Sequence, residues 1–378
     1  MNTTNTTEQA MRIIISGGGS GGHIFPAIAI ANAVKKRHPE AQILFVGAEG
    51  RMEMEKVPAA GYPIEGLPIA GLQRRLTLRN IGKNLLLPVK VVRSRRKARL
   101  IIRRFRPDVV VGVGGFASEP TLKAATGMGI PTLLQEQNSY AGLTNRTLAR
   151  QARTICVAYD SMDRFFPAGK IVFTGNPVRA DIEHLSVSHT DGCTFFDLDP
   201  ARPVVLSVGG SLGAGSINRM VMQHLAFFRQ HDIQLIWQTG RWMYDEAVAA
   251  VRTAGVGQWV KVHQFVSRMD MAYAAADAII SRAGAIAISE LCLVGKPVIL
   301  IPSPNVAEDH QTKNAMALAG KGAALMVPDR LCAEQTLPLL LELMQSDERR
   351  SAMGAACRSL GVESSADKIV DEIEKLIV

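Results

Sequence analysis

The chain has 378 residues, more than one typical hydrophobic core organises, so two domains are expected. Apolar residues make up 47% and charged residues 20%, an ordinary globular composition that excludes bulk disorder. The net charge of +9 is local: between Glu65 and Asp108 there are 13 basic residues and no acidic one, while the rest carries 30 basic and 34 acidic residues.

Residues 1–10 are polar, lack the apolar centre of a signal peptide and read as a disordered leader. Strands are expected at 12–16, 42–47, 108–114, 131–136, 154–158 and 171–175, with helices over 24–37 and 117–127. These strands are nearly continuous apolar runs, which predicts a parallel sheet covered on both faces. The first domain spans 11–177. "GNPVRADIEHLSVSHTDG" has the proline and polar character of a linker. The pattern restarts as strand, glycine turn and helix over 203–220, with strands at 233–240, 260–266, 277–281, 297–302 and 323–327, giving a second domain over 178–357. The fold class is α/β: two doubly wound Rossmann-like domains facing an interdomain cleft, with the last helix, in 358–378, crossing back to the first. No run of 18 apolar residues lacks a charge, so no membrane span is expected. Five scattered cysteines without a CxxC pair fit a reducing compartment and argue against a disulfide frame or zinc site.

Four glycine-rich turns follow strands. "GGGSGGH" (17–23) places five glycines in six positions ahead of a helix, where bare backbone and free N–H groups hold anions. Gly17, Gly19 and Gly22 also fit a dinucleotide fingerprint, with Glu49 after the second strand as its acidic residue. The second turn is "GVGGFAS" (112–118) and the third "VGGSLGAGSIN" (208–218). In the fourth, Gly284 and Ala285 start a helix with tiny side chains, so a diphosphate fits against its N-terminus. Glu290, among apolar neighbours on that helix, is placed to accept hydrogen bonds from a vicinal diol such as ribose.

Together, "GGGSGGHIFPAIAIA", "VGGFAS", "EQNSYAGLTNR", "GNPVR", "GGSLGAGSIN", "RAGAIAISE" and "DHQTKNA" resemble the GT-B glycosyltransferases. Within them, they resemble the bacterial family that adds N-acetylglucosamine to undecaprenyl-pyrophosphoryl-N-acetylmuramoyl-pentapeptide, lipid I, giving lipid II of peptidoglycan synthesis. The resemblance runs from about residue 11 to about 330, with Ser20 where the family usually has Thr and Phe116 where it often has Tyr. It implies a UDP-N-acetylglucosamine site mainly in the second domain. Ser211 would contact the UDP phosphates, Ala285 and Ile286 would sit by the diphosphate, Ala287, Ile288 and Ser289 would belong to the same substrate-binding site, Glu290 would bind the ribose, and the backbone of Phe265 and Val266 would meet the uracil. Arg179 would reach the nucleotide. Gln311, Asn138, Ser20, Gly21 and Gly22 would read the sugar. Gly18, Gly19, Gly114, Gly115 and Phe116 would hold the acceptor pyrophosphate.

The implied reaction inverts an α-linked donor to a β-linked product. It needs a base at the muramoyl 4-hydroxyl, neutralisation of the leaving diphosphate and exclusion of water. His23 is the candidate base; Glu136, in "QEQN", is either a rival base or the group that orients it. No metal or other cofactor is expected, since helix dipoles, backbone amides and Arg179 can neutralise the diphosphate. The lone DxD, Asp197–Asp199, reads as a surface loop. The basic stretch 72–106 mixes apolar residues with Arg and Lys, which suits an anionic membrane surface better than nucleic acid, because Phe105 is its only aromatic. Peripheral attachment to the cytoplasmic face of the cell membrane follows.

Overall fold

The computed structural model describes residues 10–19, 21–69, 87–210, 212–306 and 309–377. Two compact units result: Met1–Pro177 with Ser364–Val378, and Val178–Glu363. The return to the first unit therefore starts at Ser364, and the helix Asp347–Arg358 belongs to the second.

The first unit holds a seven-stranded sheet of β1 (Arg12–Ser16), β2 (Gln42–Ala48), β3 (Ile64–Leu67), β4 (Val109–Gly112), β5 (Thr132–Glu136), β6 (Thr154–Val157) and β7 (Ile171–Phe173), in the order β3-β2-β1-β4-β5-β6-β7. Every pairing is parallel. Successive residues point to opposite faces. Ile13 and Ile15 enter one core with Val109 and Val111, while Ile14 and Val110 enter another. Two buried faces are why these strands read as unbroken apolar runs. The helix Ser365–Glu374 completes the first of these cores with Ile369, Val370 and Ile373, and Arg37 pairs with Asp371 at its edge.

The second unit repeats the design with β8 (Val204–Val208), β9 (Gln234–Gln238), β10 (Val260–His263), β11 (Ala278–Ser281), β12 (Val298–Leu300) and β13 (Leu325–Met326), ordered β10-β9-β8-β11-β12-β13. From Val178 on, the segment read as a linker is structure of this unit. Val178 and Ile182 are buried in its core, and helices form at Ala180–Glu183 and His189–Phe195.

Strand order reverses between β1 and β4, and again between β8 and β11. Loops leaving the carboxyl ends of such strands diverge and open a crevice, the usual ligand site of open α/β sheets. The four glycine-rich turns follow these four strands.

Candidate active site

In the first unit the turn after β1 leads directly into the helix Gly21–Arg37, so His23 sits in that helix's first turn. The two glycine turns are fitted to each other. A Cβ on Gly115 would lie 2.3 Å from the Gly18 carbonyl oxygen, and one on Gly114 would lie 3.0 Å from the His23 ring. The imidazole therefore rests on bare backbone at Gly114. The Phe116 ring packs against Gly19, and the Arg51 guanidinium lies 5.9 Å from that ring's centre. The Gly19 N–H is already committed: it donates to Glu53 Oε2 at 3.1 Å. That limits what Gly19 offers an acceptor phosphate. Ser20 lies outside the described residues.

Glu136 ends β5 and is buried. Its Oε1 accepts from the Asn138 N–H at 3.1 Å and the Asn138 side-chain amide at 3.2 Å; Oε2 accepts from the Gly142 N–H at 3.1 Å and Asn145 Nδ2 at 2.8 Å. Burial raises its pKa above the ordinary carboxylate value, and these four donors oppose the rise. The carboxylate thus braces the turn that carries Asn138 and Asn145. Around it lies a buried amide network: Gln135 Nε2 donates to Asn176 Oδ1 at 3.0 Å, and Asn176 Nδ2 to the Gln137 carbonyl at 3.0 Å. Asn145 and Asn176 sit inside motifs quoted above, "EQNSYAGLTNR" and "GNPVR", yet neither was singled out.

The turns of the second unit fit backbone against backbone. A Cβ on Gly213 would lie 1.9 Å from the Thr239 carbonyl oxygen, and one on Gly240 would lie 2.3 Å from Leu212. Gln238 ties the same region together, donating to the Gly210 carbonyl at 3.0 Å and accepting from the Val266 N–H at 2.8 Å. The Val266 N–H is thereby used within the protein and its side chain is buried, so a backbone contact at Val266 itself falls to its carbonyl oxygen. Phe265 beside it is 55% exposed. Ser211 lies outside the described residues.

The helix Ala285–Val294 follows Gly284, which provides no capping side chain, and its first turn has no acidic residue. Its N-terminus is thus small, uncapped and positive in dipole, a ready anion seat. Ile288, one turn in, is different: its side chain is buried in the core and its N–H donates to the Gly284 carbonyl at 2.9 Å. Ser289 turns its hydroxyl back to the Ala285 carbonyl at 3.1 Å. Both side chains are thus engaged within this unit.

Glu290 is partly buried and accepts from the Tyr273 hydroxyl at 3.0 Å. Burial pushes its pKa up to about 7, against the pull of Tyr273 and Arg179. Arg179 is held by Asp181, with Nε 3.0 Å from Oδ1, and feels the charges of Glu290 and Asp270. Gln311 Oε1 accepts from the Ser303 N–H at 2.8 Å, which fixes the amide beside the loop after β12. Outside this cluster, Asp197 pairs with Lys261 at 2.6 Å and Asp199 with Arg202 at 3.2 Å. Glu49, the acidic residue of the dinucleotide reading, pairs with Lys97 at 2.8 Å.

The chain matches the glycosyltransferase family 28 N-terminal domain over residues 13–157 and the C-terminal domain of the same family over residues 204–372. It belongs to that family, whose two Rossmann-like domains account for both sheets. Its relatives narrow the class. A UDP-N-acetylglucosamine--N-acetylmuramyl-(pentapeptide) pyrophosphoryl-undecaprenol N-acetylglucosamine transferase from Parabacteroides distasonis is 54% identical over 367 residues, covering 97% of this chain and 98% of its own. A protein of the same name from Bacteroides fragilis is 53% identical over 380 residues, covering 100% and 99%. Among solved structures, Acinetobacter baumannii MurG matches with a TM-score of 0.76 at 27% identity, over 97% of this chain and 99% of that one.

Proposed function

We propose that this chain transfers N-acetylglucosamine from UDP-N-acetylglucosamine to the muramoyl 4-hydroxyl of undecaprenyl-pyrophosphoryl-N-acetylmuramoyl-pentapeptide, with inversion at the anomeric carbon. The observation that carries this reading is the identity above 50% over nearly the full length with relatives bearing that activity in their names.

The geometry supports the following division of labour. His23 accepts the proton of the 4-hydroxyl as its oxygen bonds to the sugar's C1 and the bond from C1 to the UDP oxygen breaks. The UDP diphosphate leaves onto the helix start at Ala285–Ala287, where main-chain N–H groups and the dipole take its charge, helped by Arg179. Glu290 accepts the ribose hydroxyls. Asn138 and Gln311 read the sugar. With the Gly19 N–H committed to Glu53, the acceptor pyrophosphate is met by the helix start at Gly21–Gly22, and Gly18, Gly114, Gly115 and Phe116 form its floor. Glu136 acts by placing Asn138 and Asn145.

Membrane docking rests on the helix Leu87–Phe105; residues 72–86 of the basic stretch lie outside the described residues. Val89, Val92 and Leu100 are exposed, and spacings of three and four place them on one face with Arg93, Arg96 and Arg103. Arg95, Lys97 and Arg104 instead pair with Glu119, Glu49 and Glu65. A mixed apolar and cationic stripe suits the anionic cytoplasmic leaflet. Among the described residues no helix is long and apolar enough to cross a membrane.

The test is direct. UDP-N-acetylglucosamine and a lipid I analogue are supplied together, and UDP release is followed. Release that requires both, with a disaccharide product of β configuration, is expected. Equal release with an unrelated acceptor sugar would sink the acceptor assignment.

A further inference from the structure

We infer that Glu53 is a positioning residue for this transfer: its carboxylate holds the 17–23 turn in the shape that presents His23. The inference rests on the reading of His23 given above.

Glu53 is 1% exposed, although it lies in the charge-rich stretch "RMEMEK". Its Oε1 accepts from the Ala48 N–H at 3.0 Å and its Oε2 from the Gly19 N–H at 3.1 Å. One carboxylate therefore ties the end of β2 to the turn leaving β1. Two glycines make its room. A Cβ on Gly18 would lie 2.1 Å from Glu53 Oε1, and one on Gly47 would lie 2.6 Å from Glu53 Cγ. Such clearance from two directions marks a built socket rather than a stray buried glutamate.

The consequence for His23 runs through contacts already described. Gly18 and Gly19 have φ of +152° and +89°, shapes that glycine permits but does not enforce. A turn this rich in glycine samples many conformers unless something selects one. Glu53 grips Gly19, the Gly18 carbonyl seats on Gly115, and the imidazole lies on Gly114. Loss of the grip frees the turn just ahead of the helix that starts at Gly21 and carries His23. A misplacement near 1 Å at a reacting group costs on the order of 100-fold in rate.

The experiment compares Glu53→Gln, Gly47→Ala, His23→Ala and the double variant Glu53→Gln/His23→Ala. Glu53→Gln keeps the shape but turns an NH2 toward one of the two N–H donors. Gly47→Ala crowds the Glu53 stem from β2 without touching either glycine turn. Glu53→Gln and Gly47→Ala should each lower kcat by about tenfold or more with the KM for UDP-N-acetylglucosamine within about twofold. Hydrogen exchange in the peptide covering residues 17–23 should speed up while β1 and β2 stay protected. In the His23→Ala background, Glu53→Gln should have no further effect on kcat. An equal fold-loss with and without His23, or unchanged exchange in the turn, would overturn the inference. If His23→Ala alone leaves turnover intact, the functional reading of His23 falls and takes the catalytic half of the inference with it; the exchange data still decide whether Glu53 holds the turn.

Discussion

At the first unit's switch point, between β1 and β4, the turns are supported by buried side chains. Glu53 lies under the first turn, Glu136 braces the loop after β5, and Gln135, Gln137, Asn145 and Asn176 are buried around it. At the second unit's switch point, between β8 and β11, close backbone contacts carry more of the support, Gly213 against Thr239 and Gly240 against Leu212, with the Gln238 amide between Gly210 and Val266, and the helix after β11 opens on alanine. On the proposed function, the same topology carries two chemistries. Removing a proton from one hydroxyl demands a group held in place, and side-chain carboxylates and amides do the holding. Receiving a diphosphate demands only converging N–H groups and a dipole, which small residues leave uncovered.

That contrast breaks first at His23. His23→Ala should lower kcat by about 1,000-fold, about 4 kcal/mol of barrier, with little change in donor KM. Steady-state kinetics with varied donor checks it, and a large rise in donor KM at constant kcat would move His23 to the binding side. Glu136 comes next. Glu136→Ala strands four donors and should destabilise the chain by about 3 kcal/mol in urea unfolding. Glu290→Ala should cost far less stability and instead weaken UDP. If the two carboxylates behaved alike, the distinction between a brace and a ligand-facing group would be lost. Smaller again is the helix Leu87–Phe105. Leu100→Glu should reduce co-sedimentation with anionic vesicles by about tenfold and with neutral vesicles by less, since it removes apolar area and adds a charge that only the anionic surface repels. Unchanged sedimentation would take that stripe out of the docking surface.

Much of this was legible because the determinants are local. Most strands of the second sheet announce themselves as short apolar runs ahead of a turn, whereas β10, Val260–His263, alternates apolar and polar residues. His23 is marked by the glycines before it. What escaped depends on partners distant in sequence. β3 is four residues, Ile64–Leu67, containing a glutamate and a glycine; it is an edge strand paired only with β2, so its pattern is weak. The segment 175–192 looks polar, but Val178 and Ile182 anchor it in the core of the second unit. Glu53 reads as one more surface charge until Gly18 and Gly47 are brought around it. The commitment of the Val266 N–H to Gln238, on β9, is likewise set by a partner distant in sequence. Ile288 shares the motif of Glu290 but faces the core, a distinction set by helix phase against the sheet.

The smallest effect separates the two halves without altering any residue. Burial holds Glu290 near a pKa of about 7, so near neutrality it is part acid and part carboxylate. A ribose diol donates hydrogen bonds, which the carboxylate accepts best. UDP affinity should therefore fall about fivefold between pH 7 and pH 6 and level off above about pH 8. Stability of the unliganded protein should run the other way. Because the folded value is raised, the contribution of Glu290 is complete below its ordinary carboxylate range and is lost as pH rises through about 7. Glu290→Gln should flatten both profiles, with UDP affinity no longer tracking pH. Titration calorimetry at three pH values, beside urea unfolding, reads both slopes. A wild-type UDP affinity that ignores pH would show that ribose is not held by this carboxylate, and the donor half would then rest on the helix start and Arg179.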